Sequence, residues 1–264
     1  MLRAHSPEYL MEAWGLGMFM ISAALFTTLF EYPGSPIHQA VADADIRRGL
    51  IGLAMGLTAI GIIYSPWGQQ SGAHLNPAVT LTFFRLGKIT GIDAALYVVA
   101  QFIGGLIGVL LSIGILGMAF VMPPVQYVIT IPGTSGVAIA FLAELVISAA
   151  MMLTVLLVSN SNRFGRITGL CAGALVALYI TFEAPLSGMS MNPARSFASA
   201  APGGMWEHLW LYFTAPALGM LGSAELYCLL KSTARVHCAK LDHTPNRRCI
   251  HCHFEPADPL QREP

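Results

Sequence analysis

Long runs without a charged residue alternate with short polar segments along this chain. Residues 94–143 contain no Asp, Glu, Lys or Arg, and residues 49–84 form a second such run. Uncharged apolar stretches of about 18 residues or more are typical of membrane-spanning helices. The pattern predicts six spans, at about 9–30, 49–67, 92–120, 137–158, 167–183 and 206–230.

Two shorter apolar segments, 77–85 and 193–201, lie between the predicted spans. A helix of nine residues rises about 14 Å, which is roughly half of a bilayer hydrocarbon core of about 30 Å. These two segments are therefore predicted to be half-helices or loops.

The composition excludes an ordinary soluble protein. Of 264 residues, 55% are hydrophobic and 11% are charged, whereas about 25% of the residues of a soluble domain are charged. The formal net charge is zero, so no basic excess is available to neutralise the phosphates of a nucleic acid. The chain is predicted to be an all-α, multi-pass integral membrane protein without a nucleic-acid partner.

The basic residues predict the orientation in the bilayer, because Lys and Arg concentrate in cytoplasmic loops. With both termini in the cytoplasm, 11 of the 14 basic residues fall inside and only Arg47 and Arg48 fall outside. Both termini are therefore expected to be cytoplasmic. Arg195 is left at membrane depth, where a guanidinium is costly and a functional role is expected. The alternative is an Arg195 side chain that reaches the outer interface.

Three features recur in the two halves of the chain, in the same order and at nearly the same spacing. GLAMG (52–56), Asn76-Pro77-Ala78 and AQFIGG (100–105) correspond to GLCAG (169–173), Asn192-Pro193-Ala194 and APALGM (215–220). Because each half would contain three spans, the second half is predicted to be inverted relative to the first. The predicted organisation is a first repeat at 1–130, a second repeat at 131–235 and a cytoplasmic tail at 236–264.

The segments around the two Asn-Pro-Ala triplets are SGAHLNPAVT (71–80) and SGMSMNPARSF (187–197). They resemble the signature boxes of the aquaporin family of water and small-solute channels, and the resemblance covers about residues 9–230. It implies an aquaporin-like bundle of six transmembrane helices and two half-helices. It also implies a homotetramer with one pore per chain, passive transport of water and small neutral solutes, and neither a catalytic step nor a required cofactor.

Each box is also a favourable helix start, with Asn at the N-cap and Pro at the first helical position. Asn76 and Asn192 are predicted to donate from their side-chain amides at the pore centre. The positive ends of both half-helices would oppose the entry of protons and cations there. Backbone carbonyls before each box are predicted to line the pore as acceptors, at Gly72, Ala73, His74, Gly188, Met189 and Ser190.

By the resemblance, Arg195 lines the narrow outer filter. The three other filter positions are predicted at Met55, Ile180 and Met189, with Gly56 as the alternative to Met55. The family's strict water channels place an aromatic residue and a His at two of these positions, so this filter is expected to be more apolar and wider. The sequence favours water permeation. The alternatives are a facilitator for glycerol, urea, ammonia or hydrogen peroxide, and a membrane scaffold with a closed pore.

Glu12 and Glu144 occupy matching positions in the first and fourth predicted spans. Each is expected to accept hydrogen bonds from the non-helical backbone before a half-helix, and a proton relay is the alternative. His74 is expected to be a fixed neighbour of the inner vestibule, with gating by protonation as the alternative. Glu183 is expected to be solvated at the outer end of the fifth span.

The tail combines a Cys-x-x-Cys motif with a third cysteine and several histidines, which is a zinc-capable set. The candidate ligands are Cys238, Cys249, Cys252 and His251, with His237, His243 and His253 nearby. The alternative is an unstructured, reduced tail.

Overall fold

The computed structural model describes residues 2–244 and 247–255, and within them every regular element is a helix. Six of these helices are long and apolar enough to cross a bilayer. They are α1 (Leu2–Glu31), α2 (Ala44–Tyr64), α3 (Gly91–Leu116), α4 (Val137–Ser159), α5 (Thr168–Phe182) and α6 (Leu209–Lys231). The predicted class, an all-α membrane protein with six spans, is confirmed.

The predicted spans differ from the helices mainly at their ends. Helix α2 begins at Ala44 rather than at 49, because the Asp43 carboxylate caps it by accepting from two backbone N–H groups at 2.8 and 3.0 Å. Helix α3 ends at Leu116 rather than at 120, because Gly117 has a φ of +57°. Helix α1 begins at Leu2 rather than at about 9, and its polar first turns pack against the tail.

The two short apolar segments are helices that begin at the Asn-Pro-Ala triplets. The first half-helix is Pro77–Arg85, and the second is Pro193–Gly203. In both cases Asn is the N-cap and Pro is the first helical residue. Shorter α-helices are Pro36–Ala40, Pro66–Ser71, Met118–Val121 and Ala184–Ser187, and 3-10 turns are Gln126–Val128, Gly165–Ile167 and Thr233–Arg235.

The long helices pack most extensively as three pairs: α1 with α3, α2 with α5, and α4 with α6. In the second pair, a Cβ added at Gly56 would lie 2.5 Å from the Gly173 carbonyl oxygen, and one added at Gly173 would lie 2.6 Å from the Gly56 carbonyl oxygen. The repeated GLAMG and GLCAG segments therefore cross each other directly, at a distance that only small residues allow.

Large apolar side chains are exposed on the surface of the bundle. Large side chains such as Leu53, Leu110, Ile115 and Leu142 are more than half exposed. A soluble protein rarely exposes so much continuous apolar surface, whereas a lipid-facing surface requires it.

The described part of the tail packs against the end of the bundle where α1 begins, called the tail end below. Val236, Ala239, Leu241 and Ile250 are buried in the same hydrophobic cluster as the interior of the bundle. The alternative of an unstructured tail is therefore wrong for residues 236–244 and 247–255. The rest of the predicted tail region, residues 245–246 and 256–264, lies outside the described residues.

Candidate functional site

The two half-helices begin next to each other in the interior of the bundle. The side-chain Nδ2 of Asn76 donates to the carbonyl oxygen of Met191 at 2.7 Å, and the Nδ2 of Asn192 donates to the carbonyl oxygen of Leu75 at 2.7 Å. Each box is thus joined to the backbone that precedes the other box. The two boxes therefore lie side by side in the interior.

The side-chain oxygens of the same two residues cap the half-helices. Asn76 Oδ1 accepts from the N–H of Ala78 at 2.9 Å, and Asn192 Oδ1 accepts from the N–H of Ala194 at 3.1 Å. These bonds fix the orientation of both amides. Each Nδ2 has two hydrogens and gives one to a carbonyl. Because both side chains line a central cavity, the second hydrogen is available to a molecule inside it.

Two buried carboxylates hold the backbone that leads into the boxes. Glu12 accepts from the N–H groups of His74 and Leu75 at 3.0 and 2.6 Å. Glu144 makes the equivalent bonds, of 2.6 and 2.7 Å, to the N–H groups of Ser190 and Met191. Each of the four carboxylate oxygens therefore accepts from a backbone N–H group.

The backbone held by these carboxylates is in a conformation that most residues avoid. Ala73, Leu75, Met189 and Met191 have φ angles of +54°, +51°, +51° and +53°, and left-handed backbone costs an L-residue about 1–2 kcal/mol. One residue with an ordinary φ, His74 or Ser190, separates the two left-handed residues of each segment. The hydrogen bonds to Glu12 and Glu144 offset the strain.

Sequence reasoning missed three residues that support this backbone. The Tyr97 hydroxyl donates to the Ser71 carbonyl at 2.8 Å, and the Tyr212 hydroxyl donates to the Ser187 carbonyl at 2.6 Å. Gln101 donates to Glu12 at 2.8 Å. Tyr97 and Tyr212 occupy corresponding positions in the two halves, a signal that a search for matched polar residues could have found.

A cavity of about 470 Å³ runs along the interior of the bundle past both Asn residues. Glu31 and Arg48 line its far end, and Leu241 of the tail lines its tail end. All four predicted filter residues line it, namely Met55, Ile180, Met189 and Arg195. The alternative filter residue, Gly56, packs against α5 instead.

Five of the six predicted carbonyl residues also line this cavity, and Gly72 does not. The Gly72 carbonyl accepts from the backbone N–H of Leu241 at 3.2 Å. The prediction for Gly72 is therefore wrong, because the tail occupies that position.

Arg195 lies in the interior and does not reach the surface. Its exposed fraction is 7%, and its Nη1 has no hydrogen-bond partner among the residues that the structure describes. The remaining wall of the predicted filter is apolar. A buried guanidinium donor that borders a cavity is suited to hold the oxygen of a small polar molecule. Glu183, predicted to be solvated, is buried instead, with an exposed fraction of 8%.

Comparison with known proteins identifies the family. The family model described as "Major intrinsic protein" matches residues 9–227. This chain belongs to the major intrinsic protein family. Members of this family are aquaporin-type channels rather than enzymes, and such channels need no cofactor.

Relatives of this major intrinsic protein include plant aquaporins. A probable NIP-type aquaporin from Nicotiana alata is 36% identical over 180 residues, covering 67% of this chain and 64% of the relative. The aquaporin NIP2-2 from Zea mays is 32% identical over 223 residues, covering 82% of this chain and 72% of the relative. The chain thus spans less than two thirds of the first of these proteins.

The aquaglyceroporin from Plasmodium falciparum has a similar solved structure, with a TM-score of 0.70 and 22% identity. The match covers 84% of this chain and 95% of the other. At this identity the similarity concerns the fold.

The tail of this major intrinsic protein lies beyond the matched residues and covers the tail end of the cavity. The side chain of His74, predicted to be a fixed neighbour of the vestibule, is buried, and its Nε2 bonds the carbonyl oxygen of Ala239 at 2.6 Å. Its Nδ1 lies 3.0 Å from the Thr80 hydroxyl. Both ring nitrogens are therefore engaged, one of them by the tail.

Charged residues anchor the tail to the bundle. Arg248 forms an ion pair with the fully buried carboxylate of Glu8 at 3.0 Å and donates to the Ala4 carbonyl at 2.7 Å. Lys240 is buried and donates to the carbonyl oxygens of Gln69 and Arg248 at 3.0 and 3.2 Å. Burial lowers the pKa of the Lys240 ammonium.

The predicted metal ligands are only partly brought together. Cys238, Cys249 and Cys252 converge, but the histidine beside them is His243. His251 points into the bundle, where its Nε2 lies 3.1 Å from the Ser71 carbonyl oxygen. The prediction of His251 as a ligand is therefore wrong, because the loop between the two Cys positions of the motif turns its side chain away from the thiols.

Proposed function

We propose that this protein is a passive channel that conducts water and small neutral solutes and excludes protons and ions. The observation that supports this best is the central cavity, which is lined by both Asn residues and Arg195. Its other walls are largely apolar side chains and backbone carbonyls. A small neutral molecule can exchange one hydrogen bond for the next along this path. The same wall does not offset the free-energy cost of removing the hydration shell of an ion.

The Asn pair supports the exclusion of protons. A water molecule at the centre accepts hydrogen bonds from the second N–H of Asn76 and Asn192, and its oxygen then cannot accept from a neighbouring water. A continuous hydrogen-bonded wire for protons is interrupted there. Two half-helix N-termini, each equivalent to about half a positive charge, raise the barrier for cations further.

The filter composition supports permeation by small neutral solutes besides water. Met55, Ile180 and Met189 present apolar walls, and Arg195 supplies the one charged donor among the four. Apolar walls lower the free-energy cost of moving solutes that are less polar than water through the filter. We therefore include ammonia, hydrogen peroxide, urea and glycerol as candidate solutes.

Reconstituted vesicles test this function. Vesicles containing the purified full chain are expected to shrink faster than empty vesicles in an osmotic step with an impermeant solute. The same measurement with each candidate solute gives the selectivity, and a pH-sensitive dye inside the vesicles reports proton leakage. Shrinkage at the rate of empty vesicles, both with and without a metal chelator, would favour the closed-pore scaffold.

The organisation of the protein is part of the proposal. The matched Glu12 and Glu144 contacts and the two half-helices whose starts meet support two inverted repeats, at 1–130 and 131–235. The distribution of basic residues supports cytoplasmic termini, which protease protection of a C-terminal epitope in sealed vesicles tests. Membership of the family supports a homotetramer, which native mass spectrometry of the detergent-solubilised protein tests.

A further inference from the structure

Four side chains of the tail form a cluster that can hold a metal ion. The Sγ atoms of Cys238, Cys249 and Cys252 and a ring nitrogen of His243 all lie within 4.8 Å of one another. The Sγ atoms of Cys238 and Cys249 are 3.4 Å apart, and His243 Nε2 is 3.3 Å from the Sγ of Cys252. The side chains of Cys238 and Cys249 are buried, and those of His243 and Cys252 are exposed.

The separations of 3.4 and 3.3 Å are close to those in a tetrahedral zinc site. Zn–S bonds of about 2.3 Å and Zn–N bonds of about 2.0–2.1 Å place neighbouring ligand atoms about 3.5–3.8 Å apart in a tetrahedron. Three thiolates and an imidazole form a donor set that structural zinc sites use. The nearby carboxylate of Asp242 is engaged elsewhere, since it accepts from Gln69 Nε2 at 2.8 Å.

A backbone hydrogen bond and a ring contact order the loop around the cluster. The backbone N–H of Cys249 donates to the Phe254 carbonyl at 2.8 Å, which closes the segment that carries both Cys249 and Cys252. The ring of His243 packs edge-on against Phe254, with the centroids 5.5 Å apart. The contact orients the imidazole toward the thiols.

The residues that cover the cavity lie between the ligands in sequence. Ala239, whose carbonyl accepts a hydrogen bond from His74 Nε2, follows Cys238 directly. Leu241, whose N–H bonds the Gly72 carbonyl and whose side chain lines the cavity, lies two residues before His243. A metal ion bound by both flanking ligands therefore fixes the segment that closes the tail end of the cavity.

We propose that Cys238, His243, Cys249 and Cys252 bind one zinc ion, and that the zinc-bound tail is a cap that closes the tail end of the channel. Residues 236–244 and 247–255 contain no helix or strand that could order the segment, so the binding energy of the ion contributes directly to its folding. Release of zinc frees Ala239 and Leu241 from the mouth and opens the path. The closing role of the cap rests on the proposed channel function, whereas the metal site does not.

Metal analysis of the purified full chain tests the site. We expect about one zinc per chain and no zinc after the double change Cys249→Ser and Cys252→Ser. Cys171→Ser is the matched control, since Cys171 lies in α5 outside the cluster, and it is expected to keep the zinc. A native chain without zinc, or a double variant that retains it, would overturn the site.

Two measurements on the same samples test the cap. Hydrogen exchange of the backbone in residues 236–244 is expected to accelerate when a membrane-permeant zinc chelator is added, as the bond from Leu241 to Gly72 is lost. Water permeability of vesicles is expected to rise several-fold with chelator or with the double Cys variant. Leu241→Ala is expected to raise permeability while zinc stays bound.

The outcomes separate the two proposals. Equal exchange with and without zinc, or equal permeability of conducting vesicles with and without zinc, would overturn the cap. Vesicles that conduct in neither state would contradict the channel function, while zinc content and exchange would still decide whether the ion holds the tail on the bundle.

Discussion

Arg195 has an unusual position for a charged residue, because it lines the cavity with an exposed fraction of only 7%. Its Nη1 is buried and has no hydrogen-bond partner in the described part of the chain. Replacement by Ala removes a large side chain and a positive charge from the predicted filter. Arg195→Ala is therefore expected to raise glycerol and urea permeability several-fold relative to water permeability, measured by light scattering of vesicles. Arg166→Ala, outside the cavity, is the control. Unchanged selectivity would mean that the filter lies elsewhere.

The two buried carboxylates are expected to matter for stability rather than for proton transport. Glu144→Ala leaves the N–H groups of Ser190 and Met191 without their acceptor, at a cost of about 1–3 kcal/mol for each buried group. The unfolding temperature in detergent is expected to fall markedly. Glu207→Gln, at a carboxylate with 87% side-chain exposure, should leave it unchanged. An unaltered temperature for Glu144→Ala would contradict the backbone-holding role.

At the scale of helices, the crossing of α2 and α5 depends on one small residue from each. A Cβ at Gly56 would lie 2.5 Å from the backbone oxygen of Gly173, so Gly56→Ala forces the helices apart. Its unfolding temperature is expected to fall. Gly61→Ala on the same helix meets no atom within 4 Å and is expected to be neutral or stabilising by about 0.5–1 kcal/mol through helix propensity. Similar unfolding temperatures for Gly56→Ala and Gly61→Ala would contradict the close contact between α2 and α5.

The helices could be predicted from the sequence because their signals are local. The signal for the first half-helix is the Asn-Pro pair at its start, and the signal for each span is its own run without charged residues. The same holds for Glu12 and Glu144, which stand out as carboxylates within apolar spans.

The position of the tail could not be predicted, because its contacts join residues far apart in the chain. No local pattern indicates the hydrogen bond from His74 Nε2 to the Ala239 carbonyl or the ion pair of Arg248 with Glu8. The choice between His243 and His251 as a metal ligand depends on how the loop turns around Cys249 and Cys252, and the spacing of these residues leaves both open.

At the scale of the whole molecule, the cavity lies within the helical bundle of a single chain. Each chain of the proposed tetramer should therefore conduct independently. Met189→Trp is expected to fill the cavity and to abolish conduction. When it is co-assembled with the unaltered chain, water permeability is expected to fall in proportion to the fraction of the variant in the vesicles. A much steeper decline would indicate a path formed between chains.

The ion pair between Arg248 and Glu8 has a consequence for how the tail leaves the bundle. The Glu8 carboxylate is fully buried under the docked tail. A tail that lost only Arg248 while it still covered Glu8 would leave an unpaired charge without water, and such arrangements are strongly disfavoured. Partly detached intermediates should thus be scarce. Individual channels would then switch between an open and a closed state. The water permeability of a population would follow the number of open channels rather than a gradual change in every channel.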